Sequence, residues 1–387
     1  MNDPATGPVE NQDMLFNHGR KPHAAYHNQY ALGMTMATRQ GFLDAHPNQR
    51  PFLLSRSGCT GSNRYTAIWT GDNYSNYHHL KNSIPTTLNL ALSGIPFNGP
   101  DACGFGGDTT PELARDWFKA GFLFPFFRNH SLKGTRQQEP WAFGAKTMTV
   151  LRRYIQLRYR FRPYLYQLFA EQEQSGEAIL RPLFYDFPDH KELPLGLIDD
   201  QFMVGPHVMQ APFISEKQKT REVVLPGDGA WFDVMHGKWI EGNQKIAVAA
   251  QFNNTPLYIR DQTILPLARL KREEHLFQAQ RVDFHLFFSK DGTAQTRYRF
   301  DDGGTLDYLR GKRSEVDITA IRSGQTVSIQ TVLREDGFGS GDFTFTTQPG
   351  ITAVEINGKP AKRCAAQGMP VGKQKSLTWK VSFAVEK

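Results

Sequence analysis

LKNSIPTTLNLALSGIPFNGPDACGF, residues 80–105, carries the fold in miniature. Leu80 to Ser93 has the apolar spacing of a helix. Gly94 stops it, and Ile95 to Gly99 follows as a short apolar run of strand character. An aspartate, Asp101, comes immediately after. The same unit recurs on both sides. Tyr26 to Ala45 reads as a helix and Pro51 to Arg56 as a short buried strand. Thr110 and Pro111 open another helix, because Thr caps and Pro suits the first turn. That helix stops near Gly121, and FLFPFFRN follows. Helices alternating with short buried strands predict parallel β/α units over residues 1–175.

Beyond Ser175-Gly176 the pattern changes to short β-rich segments parted by Pro, Gly and Asp. From about Leu270 strict alternation takes over, as in VDFHLFFS, VDITAI and DFTFTT. The fold class expected is α/β plus all-β. The division expected is a β/α segment at 1–175 and two antiparallel sandwiches at 176–269 and 270–387.

The chain has 387 residues, enough for several cores. No apolar run approaches the ~18 residues of a membrane span. Its three cysteines are too scattered for a disulfide framework, and no CxxC pair suggests zinc. The formal charge is +7. The densest basic stretch, Leu151 to Phe169, interleaves arginines with aromatics in a way that nucleic-acid binders also use. Leu151, Ile155, Leu165 and Leu168 recur at helical spacing, so the reading favoured is an amphipathic helix with arginine stems along its edges. Pro163 is expected to kink or interrupt it. No nucleic-acid or membrane partner is expected.

Polar residues stand at the ends of the expected strands: Arg56 in SRSG, Asp72 in IWTGDN, Asp101 in GPDACGF and His130 in PFFRNH. In a β/α barrel, active sites lie at that face. Cleaving an acetal needs a proton for the leaving oxygen and negative charge near a developing cation, which paired carboxylates supply. Asp72 suits the acid role, with Trp69 as an apolar wall that raises its pKa. GDN is equally a run of turn formers. Asp101 reads as a hydroxyl ligand, a helix cap or an arginine partner, and His130 as a ligand or a core histidine. Arg56 offers a fixed cation. GFGGDTTPEL lacks the ending of a phosphate loop. DDGG (301–304) is read as a hairpin turn. The sequons at Asn73 and Asn129 fall inside the candidate site and are discounted as glycosylation signals.

At these residues the chain resembles glycoside hydrolase family 31, the retaining α-glucosidases. The family's W-x-G-D matches Trp69 to Asp72. Its S-R-S arginine matches Arg56, its G-x-D-x-C-G-F matches Gly99 to Phe105, and its R-N-H histidine matches His130. QEPWAF (138–143) matches the loop that follows. The resemblance implies the C-terminal half of an eight-stranded (β/α)8 TIM-type barrel and two β-sandwiches. It implies Asp72 as acid/base, with Arg56, Trp69, Asp101, Phe105 and His130 lining the sugar site. It implies hydrolysis of terminal α-linked glucose in carbohydrate metabolism, acting on an α-glucoside or oligosaccharide without metal or organic cofactor.

Three departures stand out. The family's nucleophile is the first residue of D-M-N-E-P. Here Met1-Asn2-Asp3-Pro4 matches only the last four positions, with Asp3 in the Glu position. The nucleophile is therefore expected to precede Met1, and the first half of the barrel and the family's N-terminal β domain are expected to be a missing partner. Many relatives carry a second cysteine where Ala114 stands, so Cys103 is expected to be unpaired. The alternative implied is a catalytically inactive carbohydrate-binding or split-subunit relative.

Overall fold

A computed structural model describes residues 13–188, 193–269, 281–339, 341–347, 351–364 and 377–382. Met1 to Pro4 lie outside the described residues. Helix α1 spans Tyr30–Ala45, four residues later than its apolar pattern begins. Two short 3-10 turns occupy His23–Ala25 and His27–Gln29 instead, and Gln29 gives α1 no side-chain cap. Strands β1 (Leu54–Ser55), β2 (Ala67–Trp69) and β3 (Asn98–Gly99) pair in parallel in that order. Strands β4 (Asp101–Ala102) and β5 (Arg128–Asn129) form a second parallel pair, with Asp101 opposite Arg128. These strands are shorter than the apolar runs that announce them.

Helices α2 (Tyr77–Leu92), α3 (Pro111–Gly121) and α4 (Gly144–Ser175) alternate with them. Two of the three starts have a local cause. The Asn76 side chain accepts the His79 N–H at 2.9 Å, and the Thr110 hydroxyl accepts the Leu113 N–H at 3.1 Å. One face of α2 buries Leu80, Ile84, Leu88 and Ala91. Helix α4 buries Leu151, Tyr154, Leu157, Phe161, Leu165 and Leu168 against the same core. Its end is set by Gly176, left-handed at φ 77.

Of the two outcomes expected at Pro163, a kink or a break, a break does not occur: α4 remains one element across it. The carbonyl one turn back that Pro163 leaves without a backbone donor belongs to Tyr159, a partly exposed residue. Arg158, half-buried on α4, does more than cover apolar surface. Its guanidinium donates to the carbonyls of Phe122 and Phe124 at 2.8 and 2.6 Å and of Pro125 at 2.9 Å. It thereby caps the C-terminal end of α3. Among the described residues no helix is long and apolar enough to cross a membrane.

A six-stranded antiparallel sheet follows, ordered Lys238–Ile240, Trp231–Asp233, Leu257–Arg260, Val208–Gln210, Phe202–Val204, Leu180–Pro182. Its Phe232, Leu257 and Ile259 join the core of the β/α segment. Two five-stranded sheets complete the chain and enclose a separate aromatic core of Phe284, Tyr298, Phe300, Phe343 and Phe345. Thr263–Ala268 pairs with Arg281–Phe287, so a strand from the middle segment is built into a distal sheet. Two distal pairings are parallel: Arg281–Phe287 with Asp342–Thr347, and Thr326–Asp336 with Ala353–Ile356. In the first pair the partners are connected through three strands of the opposite sheet, the crossover that parallel strands require.

DDGG is not a tight hairpin. It opens a longer connection, residues 301–313, between Gly292–Phe300 and Ser314–Ser323. Asp302 holds the backbone N–H groups of Gly304 and Thr305 at 2.9 and 2.8 Å, so the turn formers do shape a loop. That loop docks on the β/α segment. Asp301 accepts from Arg50 at 3.2 Å and from the Tyr166 hydroxyl at 2.6 Å. Arg50 also donates to Tyr166 at 2.7 Å and to the Thr305 carbonyl at 2.9 Å. The Leu306 N–H reaches the Asn48 carbonyl at 3.0 Å.

Candidate active site

The polar residues singled out above stand at or just beyond the ends of β1, β2, β3 and β5 and in β4. Gly71 turns the chain after β2 with φ +84, and its Cα faces the Arg56 guanidinium. That turn lets Asp72 and Arg56 meet at 3.3 Å, each side chain about one-third exposed. Trp69 is buried, and its ring lies 5.3 Å from the guanidinium carbon of Arg128. Phe105 and His130 stack at 5.2 Å.

Asp101 lies at the centre. It is fully buried, and one carboxylate oxygen accepts from Arg128 Nε at 2.8 Å and Nη2 at 2.6 Å. Of the readings open to it, arginine partner is therefore realised. Its other oxygen has no hydrogen-bond partner among the described residues, and neither has the buried Trp69 indole N–H. Burial pushes the Asp101 carboxyl above the ordinary carboxylate range, while Arg128 and His130 pull it down and Asp72 adds to the rise. Asp72, His130 and Arg128 thus all lie within electrostatic reach of Asp101.

Three residues that hold this arrangement were not singled out as candidates from the sequence. Arg128 is the first. It faces Asp101 across β4 and β5, and it stands two residues before His130, on the same side of the strand end. Asn73 is the second, and its sequon has a structural use. Its amide donates to the Asp101 carbonyl and accepts the Phe105 N–H, both at 2.9 Å, and so ties the Asp72 loop to the Asp101 loop. Gln138 is the third; its amide donates to the Gly104 carbonyl at 2.9 Å, and its backbone carbonyl accepts from the Asn129 side chain at 2.6 Å. Cys103 and Gly104 are both left-handed, at φ 74 and 89. A Cβ at Gly104 would lie 2.4 Å from the Ser75 nitrogen, so only glycine admits this approach. Cys103 is a free, buried thiol whose pKa burial raises.

The arrangement is a partly open ion pair beside a buried carboxylate, rimmed by aromatic rings. It offers hydrogen-bond acceptors, fixed cations and apolar faces together, the set that a polyhydroxylated ring uses.

Comparison with known proteins agrees with this chemistry. Residues 1–168 match the Glycosyl hydrolases family 31 TIM-barrel domain, and residues 176–265 match the Glycosyl hydrolase family 31 C-terminal domain. The chain belongs to glycosyl hydrolase family 31. Alpha-glucosidase 2 of Bacillus thermoamyloliquefaciens is 37% identical over 317 residues, covering 82% of this chain and 40% of that protein. Neutral alpha-glucosidase C of Homo sapiens is 33% identical over 319 residues, covering 81% of this chain and 35% of that protein. A glucose complex of the Flavobacterium johnsoniae GH31 dextranase superposes with a TM-score of 0.83 at 26% identity, covering 98% of this chain and 52% of that one. The chain therefore spans well under half the length of the two curated relatives.

Proposed function

We propose that this chain supplies the acid/base and much of the sugar-binding surface of a retaining O-glycosyl hydrolase acting on terminal α-linked glucosyl residues. In this reading residues 1–175 are the C-terminal half of an eight-stranded β/α barrel. Residues 176–269 and 270–387 are proximal and distal β-sandwiches, with Thr263–Ala268 shared into the distal one. Asp72 protonates the glycosidic oxygen and, in the second half-reaction, takes a proton from water. Arg56 holds the Asp72 carboxylate in place. Asp101, Trp69, Phe105 and His130 bind the glucosyl ring, and Arg128 keeps Asp101 ionised and oriented. The nucleophile is assigned to a carboxylate outside this chain, contributed by the remainder of the barrel. The relatives' names support the substrate class, since those proteins are alpha-glucosidases.

The observation that carries the reading is the pair of buried, unpartnered groups, Asp101's second oxygen and the Trp69 indole N–H. Buried polar atoms are rarely left unbonded, and hydroxyls would satisfy both kinds. The chain should therefore bind a glucose-configured iminosugar in calorimetric titration, and Asp101→Asn should weaken that binding at least about tenfold, the cost of a hydrogen bond to a charged group. Failure of the wild-type chain to bind, or an Asp101→Asn variant with undiminished affinity, would remove Asp101 from the sugar site.

A second reading is a saccharide-binding relative without turnover. What favours it is that Asp101, the other carboxylate of the site, is already held by Arg128. Absence of aryl α-glucoside hydrolysis alongside iminosugar binding would support it.

A further inference from the structure

A second concave surface, lined by none of these residues, is where the last turn of α4 meets the distal sheets. It is a groove of about 610 Å3, lined among others by Glu173, Gln174, Tyr308, Arg313, Glu335 and Asp336. Gly311 and Gly337 also line it. A Cβ on Gly337 would sit 1.9 Å from the Gly311 carbonyl oxygen, so no side chain fits there. The ring of Tyr308 is pinned, because the Arg50 guanidinium carbon lies 4.3 Å from its centroid. Arg313 and Glu335 are fixed on each other at 2.9 Å. Glu173 and Asp336 differ from these: among the described residues neither carboxylate makes a hydrogen bond or ion pair. Leu309, 65% exposed, adds an apolar surface to the same groove.

The chemistry narrows the ligand. Three carboxylates against one guanidinium give the groove a net negative rim, which repels phosphorylated or carboxylated ligands. Free carboxylates accept hydrogen bonds from hydroxyls. A held tyrosine ring and an exposed leucine offer a surface to a C–H face. A neutral pyranose presents both a C–H face and a ring of hydroxyls. We infer that this groove is a second saccharide site, one that holds a neutral glucan chain away from the residues around Asp72 and Asp101. None of its lining residues belongs to that set, so the two sites are separable by mutation.

Native electrophoresis of the full chain, through gels with and without soluble dextran or amylopectin, tests this. These polymers are uncharged, so the chain's basic character does not retard it. The wild type should be slowed by at least one of the two glucans. Asp101→Asn should keep most of the retardation. The double variant Glu173→Ala/Asp336→Ala should weaken the apparent affinity about tenfold or more, since each carboxylate lost is a charged acceptor. Both side chains are exposed and unpaired, so this variant should melt like the wild type, which thermal denaturation checks. Three results overturn the inference: no retardation of the wild type, retardation abolished by Asp101→Asn, or a double variant retarded as strongly as the wild type.

Discussion

Replacing Arg128 with alanine removes the one cation that, among the described residues, is bonded to a fully buried carboxylate. Two charge-assisted hydrogen bonds are lost, at 2.8 and 2.6 Å. Each is worth about 1.5–3 kcal/mol in general, but both converge on a single oxygen, so they do not add. The Arg128 side chain is 30% exposed, so water already screens part of the pair. The expected cost at pH 7.5 is about 2–3 kcal/mol. The sign of the pH dependence follows from Asp101. Its carboxyl already lies above the ordinary range through burial, and Arg128 is the largest influence pulling it down. Without Arg128 it rises further. A carboxyl raised in the fold contributes stability that is present below its unfolded pKa and lost as pH rises through the folded one. The variant is therefore penalised most at pH 7.5 and less as pH falls and Asp101 takes up a proton. Thermal melting followed by near-ultraviolet circular dichroism, to which Trp69 beside Arg128 contributes, reads this directly. Adding Asp101→Asn to Arg128→Ala should recover part of the loss. An equal or larger loss at pH 5.0, or a double variant less stable than Arg128→Ala, would refute the reasoning.

Other outcomes follow from the same geometry. In any preparation that turns over α-glucosides, Asp72→Ala should slow cleavage of a disaccharide by roughly 10²–10⁴-fold. It should slow glycosylation by a glycosyl fluoride far less, and azide should partly restore turnover. Equal slowing of both substrates, with no azide effect, would deny Asp72 the acid/base role. Burial, with Arg260 and Arg181 nearby, pushes His207 down to about 4. Its contribution is full above its unfolded value near ~6.5 and lost as pH falls toward the folded one, so His207→Gln should flatten the acid side of the stability profile by roughly 2–3 kcal/mol. Gly104→Ala should lower the melting point well beyond Gly61→Ala. Both glycines are left-handed, but only Gly104 would place its Cβ against backbone; similar losses in the two variants would discount that contact.

What was legible in the sequence was what local chemistry decides. Thr110 before Pro111 gave the start of α3 because capping needs only neighbouring residues. The strand-end polar residues pointed to the candidate site because short apolar runs mark where the chain turns outward. The pairing of Arg128 with Asp101 was not legible, since it depends on which strands lie side by side. The expected apolar wall at Asp72 was incomplete for a similar reason: Gly71's left-handed turn brings Arg56 to it. Pro163 left a kink or a break open, because a local rule does not say how packing holds a helix across a proline. DDGG misled because its partners, Arg50 and Tyr166, lie far away along the chain.

That last contact has a consequence for how the protein is made. Arg50 and Asn48 stand just ahead of β1, the strand that delivers Arg56, yet their partners Asp301, Thr305 and Leu306 are some 250 positions later. Synthesis runs from the N-terminus, and domains tend to fold as they emerge. The segment leading into β1 thus leaves the ribosome with a guanidinium and backbone groups whose acceptors and donors do not yet exist. Its final anchoring waits for the distal loop, so a nascent chain arrested before residue 301 should present this entry segment to proteases that the finished chain excludes.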